Sequence, residues 1–469
     1  MDKLQEACGI IGISAGGENG GGLVSKLYMG LISIQHRGQE GAGIAFAKDG
    51  AVHCYKNKGL VSEVFNEQIL SLISGEMYLG HVMYSGSQDK YAISAQPYVV
   101  NYKRGSLASA FNGALANAAE LRDEMENGGT VFSTSSDCEL AAVLVAKHDK
   151  GDIASAVQKV CGLLKGGYAM TFMTGKAMVG VRDPYGIRPL CIGTVDGRLA
   201  LASESCAFDM MEGAFIRDVA PGEIVTLYNG EIRSVYAQKP KSGERAGCIF
   251  EYVYFANPDS ILDGKSVYQC RERAGYILAQ ESPAEADIVI GAPDSGSPAA
   301  LGFSLCSGIP YTIGLIKNKY VGRTFIQPTQ TQREMSVRIK LNPIRPVLEG
   351  KRIVLVDDSI VRGTTMRYLI AAIRRAGALE VHLRISSPPV LHSCRFGVDT
   401  PDANDLIAKN MTTREVCESL GADSLAYIST EGMLKSLEVC GGENFGFCKG
   451  CFTGEYPNMD LQEYEQILL

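Results

Sequence analysis

Residues 352–365 read RIVLVDDSIVRGTT. The mostly β-branched run Ile353–Val356 predicts a buried strand. Asp357 and Asp358 stand at its carboxyl end, where open α/β sheets bind ligands. Gly363, Thr364 and Thr365 then lead into a helix with apolar residues at Met366, Leu369, Ile370 and Ile373. A helix N-terminus offers unpaired N–H groups and the positive end of a dipole, which suits a phosphate. Two adjacent carboxylates beside a phosphate would repel it, unless Mg2+ or a pair of ribose hydroxyls stands between them. A phosphorylated ribose satisfies both halves of the stretch.

The grammar on either side is that of alternating strands and helices. DIVIGA (287–292) and YTIGLI (311–316) read as strands, and PDSGSPAALGFSLCSG (293–308) as a loop and helix. MRYLIAAIRRAGA (366–378) reads as a helix and VHLRISS (381–387) as a strand. Such alternation predicts a parallel, doubly wound sheet. Upstream of the polar linker QKPKSGERAG (238–247) the pattern differs. CGIIGISA, GAGIAFA, AVHCYKN, MYLGHVMY, SLASAFNG, YAMTFMT, AMVGVRD, LCIGTVDG, LALASES and EIVTLYNGEI are strand-length apolar runs bounded by turn residues, with SDCELAAVLVAKH (136–148) a helix capped by Ser136 or Asp137. This predicts an α+β domain with antiparallel sheets, ending near residue 235.

A length of 469 residues suggests two or three domains. The net charge of −7, with acids and bases interspersed, argues against a nucleic-acid surface. No apolar stretch reaches the length of a membrane span, and MDKLQEA lacks the apolar core of a secretory signal. Fourteen cysteines in a chain of this length do not read as a disulfide scaffold. Together these features predict a cytoplasmic enzyme.

The chain opens MDKLQEACGIIG, and Cys8 has two readings: a core thiol, or the first residue of the working protein once a propeptide, residues 1–7, is removed. In the second case its α-amine, titrating near 8, acts as base for its own thiol. HRGQEGAG (36–43), GHVMYSG (80–86), NGALAN (112–117) and SSDCE (135–139) follow in order. They resemble the glutaminase half of the class II, N-terminal-nucleophile amidotransferases. RIVLVDDSIVRGTT resembles the signature by which type I phosphoribosyltransferases bind phosphoribosyl pyrophosphate (PRPP). The combination, supported by RDPYGIRPL, FANPDS and RISSPP, resembles the amidophosphoribosyltransferase family over essentially the whole chain.

The resemblance implies an αββα sandwich over residues 8–235, followed by an α/β phosphoribosyltransferase domain over 248–469. It implies glutamine hydrolysis in the first, and displacement of pyrophosphate from PRPP by the released ammonia in the second, the first committed step of purine synthesis. Cys8 would be the nucleophile, with Asn112 and the N–H of Gly113 as oxyanion hole; Arg37 and Asp137 would fix the glutamine head group. Asp357 and Asp358 would hold the ribose and Mg2+, with Ser295 near the metal. Ser359, Ile360, Val361, Arg362, Gly363, Thr364 and Thr365 would wrap the 5′-phosphate. Lys317, Lys319 and Arg323, in a mobile lid, would neutralise the pyrophosphate.

The resemblance also implies a [4Fe–4S] cluster on Cys248, Cys394, Cys448 and Cys451, typical of the subgroup with a short leader. A four-cysteine zinc site is the other reading of the C-x2-C pair, and unmetallated thiols a third. Homodimers or tetramers inhibited by purine nucleotides are the family's habit.

The pattern departs at Met83, where the family has an arginine for the glutamine carboxylate, and at Phe111 and Ala114, in place of histidine and asparagine. Losing a charge-assisted bond costs roughly 1.5–3 kcal/mol, about ten- to a hundredfold in affinity. Either Arg37 or Lys90 compensates, or free ammonia serves as donor. A non-catalytic regulatory protein on a PRPP fold is a further alternative; the intact acid pair and Gly-Thr-Thr loop speak against it.

Overall fold

A computed structural model describes residues 8–14, 22–84, 95–237, 245–318, 341–440 and 446–457. Strand alternation builds the first half. In Gly9–Ser14, Ile11 and Ile13 face outward onto the helices Leu23–Ser33 and Cys206–Met210, while Ile10 faces inward. Its sheet is seven-stranded, in the order Ala214–Asp218, Cys191–Val195, Arg198–Ala202, Gly9–Ser14, Met77–Met83, Gly41–Lys48, Ala51–Lys58. The facing sheet is six-stranded, in the order Glu231–Tyr236, Glu223–Tyr228, Met178–Arg182, Gly166–Met173, Gly105–Leu115, Tyr98–Tyr102. All pairings in both are antiparallel.

Ile10, Leu79, Ala110, Ala169 and Met178 pack between the sheets. On the far side of the second sheet, Phe111 and Phe172 pack on the helices Asp137–His148 and Ile153–Cys161. The result is the expected αββα sandwich. Ser136 is the cap of Asp137–His148, its hydroxyl accepting the Cys138 N–H at 3.2 Å.

The second half holds a parallel four-stranded sheet, in the order Ile288–Gly291, Arg352–Asp357, Glu380–Ile385, Ser424–Tyr427. The helix Thr364–Arg375 buries Met366, Leu369, Ile370 and Ile373, as its spacing predicts. The expected strand 311–316 is a correction. Tyr311 makes one isolated bridge to Val289, and regular pairing begins only at Leu315, in the short strand Leu315–Lys317 against Leu341–Pro343. Backbone bonds join Pro310 and Thr312 to Val289, after which the chain leaves the ladder: Gly314 packs closely against Ile290 and Leu348, while Ile313 and Ile316 are exposed.

The two halves are joined by buried charge. Arg37, whose side chain is fully buried, donates from Nε to Glu204 and from Nη2 to Glu251, the latter at 2.7 Å. Glu204 also accepts the Ser260 hydroxyl at 2.6 Å and the Asn257 N–H at 2.8 Å. Burial alone would raise the Glu204 carboxyl; the charges of Arg37 and His36 overturn that and hold it well below its ordinary range. Arg188 adds a second cation, 3.8 Å from Glu251. Removing one member of such a network strands the others. Glu251→Ala is therefore expected to destabilise the protein by about 3–5 kcal/mol, read as a lowered urea midpoint; an unchanged midpoint would show that the network adds nothing.

Candidate active sites

Cys8 sits at the start of the strand Gly9–Ser14 with φ +74°. Its N–H donates to the Arg37 carbonyl at 3.2 Å, and its thiol lies 3.8 Å from the Tyr84 carbonyl. Met83 and Ala95 pack against it. The pocket wall at Met83 is therefore apolar and buried.

Asn112 and Gly113 lie on the facing sheet, in register with Ala169 and Tyr168. Because Phe111 faces the outer helices, alternation turns Asn112 into the layer between the sheets. Asn112 is completely buried, and neither its Nδ2 nor its Oδ1 has a hydrogen-bond partner among the described residues. A buried amide left unpartnered costs on the order of 1–3 kcal/mol, so the site is built for a ligand that supplies the bonds. Asp137 accepts the Leu115 N–H at 2.8 Å, and burial raises its carboxyl against that bond and the charge of Arg122.

Arg37 corrects an expectation. Its guanidinium points at Glu204 and Glu251, so it presents no charge to a glutamine head group and does not replace the arginine missing at Met83. Its contribution is the backbone carbonyl that holds the Cys8 nitrogen. Lys90, the other expected substitute, lies outside the described residues.

At the second site the acid pair is ordered by its own neighbours. The Asp358 N–H donates to the Asp357 side chain at 2.9 Å, and the Ser359 hydroxyl to Asp358 at 2.6 Å. Gly363 has φ +77° and precedes the helix Thr364–Arg375, whose first turn carries Thr364 and Thr365. Ile360 and Val361 bury their side chains, so only their backbone can meet a phosphate. Arg362 pairs with Asp405 at 3.2 Å. A cavity of about 520 Å³ opens beside the loop that carries Ser295, lined by Gly291, Asp294, Ser297, Tyr311 and Lys317 among others. Lys317 reaches Asp294 at 2.5 Å. Lys319 and Arg323 lie outside the described residues.

Sequence reasoning missed Arg271. It is buried, donates to the Tyr252 and Ala256 carbonyls at 2.8 Å each, and lies within the field of Asp358. Nothing in its local pattern marks it, since its partners are distant in the chain or in an unusual helical turn, Glu251–Phe255.

The four expected cluster cysteines come from three distant segments and converge. Cys248 and Cys448 are register partners in a two-stranded parallel ladder. The Cys451 carbonyl accepts the N–H groups of Leu391 and His392 at 2.9 and 3.0 Å, which places the loop carrying Cys394 alongside. Burial pushes the Cys448 thiol up to about 12, with Cys394 adding to the rise. Burial likewise raises Cys451, whose thiol feels Cys248, Cys394 and Cys448. Among the described residues, however, no three His, Cys, Asp or Glu side chains are placed to hold a metal ion.

The fold and these two sites define a class: a glutamine amidotransferase domain joined to a phosphoribosyltransferase domain. Family models agree, matching a glutamine amidotransferase domain over residues 85–210 and a phosphoribosyl transferase domain over 258–386. The chain is 48% identical to an amidophosphoribosyltransferase of Archaeoglobus fulgidus, over 96% of this chain and 98% of that one. It is 44% identical to the Bacillus subtilis amidophosphoribosyltransferase, over 98% and 96%. A solved structure of glutamine PRPP amidotransferase from B. subtilis, complexed with ADP and GMP, superposes with a TM-score of 0.89 at 43% identity, covering 96% of this chain and 98% of that one. The chain belongs to the amidophosphoribosyltransferase family.

His81 lies on the strand paired with the one that Cys8 begins. Burial holds its imidazole down at about 3, against a bond to the Phe111 carbonyl at 3.2 Å. The ring is thus neutral in the folded protein, whereas the unfolded ring protonates near 6.5. This contributes stability that is fully present above about pH 6.5 and is lost as the pH falls below it. The His81 ring resonances are expected to stay flat from pH 8 to pH 5; a titration centred near 6.5 would contradict the buried placement.

Proposed function

We propose that this chain converts glutamine, PRPP and water to 5-phosphoribosylamine, glutamate and pyrophosphate, with the residue roles that follow. The observation that carries the reading is Asn112, a buried amide without a hydrogen-bond partner among the described residues, beside Gly113 in a chain that also carries the Asp357–Thr365 loop.

Removal of residues 1–7 frees the α-amine of Cys8, which takes the thiol proton. The thiolate attacks the glutamine carboxamide carbon, and the oxyanion is held by Asn112 Nδ2 and the Gly113 N–H. Asp137 holds the substrate's ammonium group. Collapse releases ammonia and leaves a thioester, which water hydrolyses to glutamate. In the second domain, residues 248–469, the ammonia nitrogen bonds to the anomeric carbon as its bond to pyrophosphate breaks. The Ser359–Thr365 loop holds the 5′-phosphate by its N–H and hydroxyl groups, and Lys317 with Lys319 and Arg323 offsets charge on the leaving group.

Two buried adjacent carboxylates at a strand end suit a hard cation. Asp357, Asp358 and Ser295 would hold Mg2+, which supplies positive charge to the pyrophosphate. A [4Fe–4S] cluster on Cys248, Cys394, Cys448 and Cys451, all partly buried, is what the family resemblance implies; it would tie the segments 248, 394 and 448–451 together. Iron and sulfide in anaerobically purified protein, lost in Cys394→Ser, is the expected result; stoichiometric zinc instead would overturn the cluster assignment.

Met83 supports a second reading, in which ammonia is the main nitrogen donor, because a buried thioether cannot pair with a carboxylate. The B. subtilis relative bound to ADP and GMP supports purine nucleotides as regulators here. A cytoplasmic homo-oligomer completes the proposal; no helix among the described residues is long and apolar enough to cross a membrane.

Asn112→Ala is expected to lower glutamine-dependent kcat by about 10²–10³-fold and to leave ammonia-dependent pyrophosphate release intact. Cys8→Ala should abolish the first and spare the second. Equal loss with both donors would contradict the division of labour.

A further inference from the structure

Gly397 belongs to the second domain, in the loop that follows Cys394, yet it lies against the backbone of Gly113. A methyl group built on Gly397 would stand 2.6 Å from the Gly113 carbonyl carbon, 2.8 Å from the Ala114 nitrogen and 2.9 Å from the Gly113 oxygen. On its other side Gly113 is equally confined: a methyl group there would meet the Gly167 carbonyl oxygen at 2.0 Å. The oxyanion-hole residue is therefore held between its neighbouring strand in the first domain and a loop of the second. Gly113 has φ +133°, so no side chain of its own limits its rotation; the two backbones that enclose it do.

The loop is itself anchored. The fully buried Arg188 donates to the Phe396 carbonyl at 2.7 Å and stands 3.8 Å from Glu251. The Phe396 N–H points at the Cys394 sulfur, 3.3 Å away. Two residues beyond Gly397, Asp399 accepts the Tyr84 hydroxyl at 3.1 Å. Tyr84 follows Met83 and supplies the carbonyl that faces the Cys8 thiol. One short segment, 396–399, thus touches the oxyanion side of the pocket through Gly397 and the nucleophile side through Asp399.

We propose that Gly397 and Asp399 are positioning residues for glutamine hydrolysis, a wall lent by the phosphoribosyltransferase domain that sets the Gly113 N–H and the Tyr84 carbonyl about Cys8. The inference rests on the glutamine-hydrolysing role of Cys8, Asn112 and Gly113. It follows that the first domain alone has an incompletely formed oxyanion site.

The test is Gly397→Ala in the full-length protein, with Gly421→Ala as control. Both glycines have positive φ, +87° and +76°, so the backbone strain is shared. Gly421 has no atom within 4 Å of the added carbon, so only Gly397→Ala presses on Gly113. Displacing a catalytic group by about 1 Å can cost on the order of 10²-fold. Gly397→Ala is expected to lower glutamine-dependent kcat about a hundredfold, with ammonia-dependent turnover and the KM for PRPP unchanged, while Gly421→Ala matches the unaltered enzyme in both.

Asp399→Ala, at an exposed position, gives a second reading should Gly397→Ala fold poorly. It should lower glutamine use roughly two- to tenfold, and Asp399→Asn, which keeps an acceptor for Tyr84, should restore it. Undiminished glutamine turnover in Gly397→Ala, an equal loss in Gly421→Ala, a parallel loss with ammonia, or an Asp399→Ala enzyme equal to the unaltered one overturns the inference. An unaltered enzyme that releases pyrophosphate with ammonia but never with glutamine overturns the donor-site reading first, and this inference with it.

Discussion

The guanidinium of Arg37 lies between two buried carboxylates, Glu204 from the first domain and Glu251 from the second. Neither acid would remain charged alone in that layer, and the cation would not be buried without them. The domains are therefore not two beads on a linker. They share a charged seam whose members are satisfied only when both halves are docked. The same residue lends its carbonyl to the nitrogen of Cys8, so the seam ends at Cys8. Arg188 extends the seam toward Phe396 and the loop that lies on Gly113. Arg271 extends it the other way, bonding the Glu251–Phe255 turn while feeling Asp358.

The surroundings of Cys8 and Gly113 are thus built partly from residues of the second domain. The proposed ammonia transfer needs both sites in one docked unit, and segment 396–399 of the second domain lies against Gly113 and Tyr84 beside Cys8. The convergence of Cys248, Cys394, Cys448 and Cys451 fits the same logic. They bring the start, middle and end of the second domain to the seam, beside the loop that reaches Gly113. Met83 presents a buried thioether beside Cys8, so that position supplies no cation for the carboxylate end of a glutamine.

Much of the fold was legible because its signals are local. The alternation of Gly9–Ser14 and the spacing of Met366, Leu369, Ile370 and Ile373 report burial directly. Asp357 through Thr365 were legible because strand, acid pair, glycine and helix start are contiguous. The strand expected at 311–316 failed because apolar content does not tell a ladder from a segment that makes one bridge and then leaves the sheet with Ile313 and Ile316 exposed. The family resemblance implies a substrate role for Arg37, but its side chain turns to Glu204 and Glu251, acids 167 and 214 residues distant. Gly397 and Arg271 carried no local mark at all; what distinguishes them is contact between segments that only the tertiary structure brings together.

The most direct measurement is the ratio of glutamate formed to pyrophosphate released by the unaltered enzyme, prepared without oxygen and supplied with glutamine and PRPP. A ratio near one is what glutamine hydrolysis at Cys8 that feeds its ammonia to the PRPP site predicts. Pyrophosphate release that requires added ammonia and yields no glutamate would contradict it.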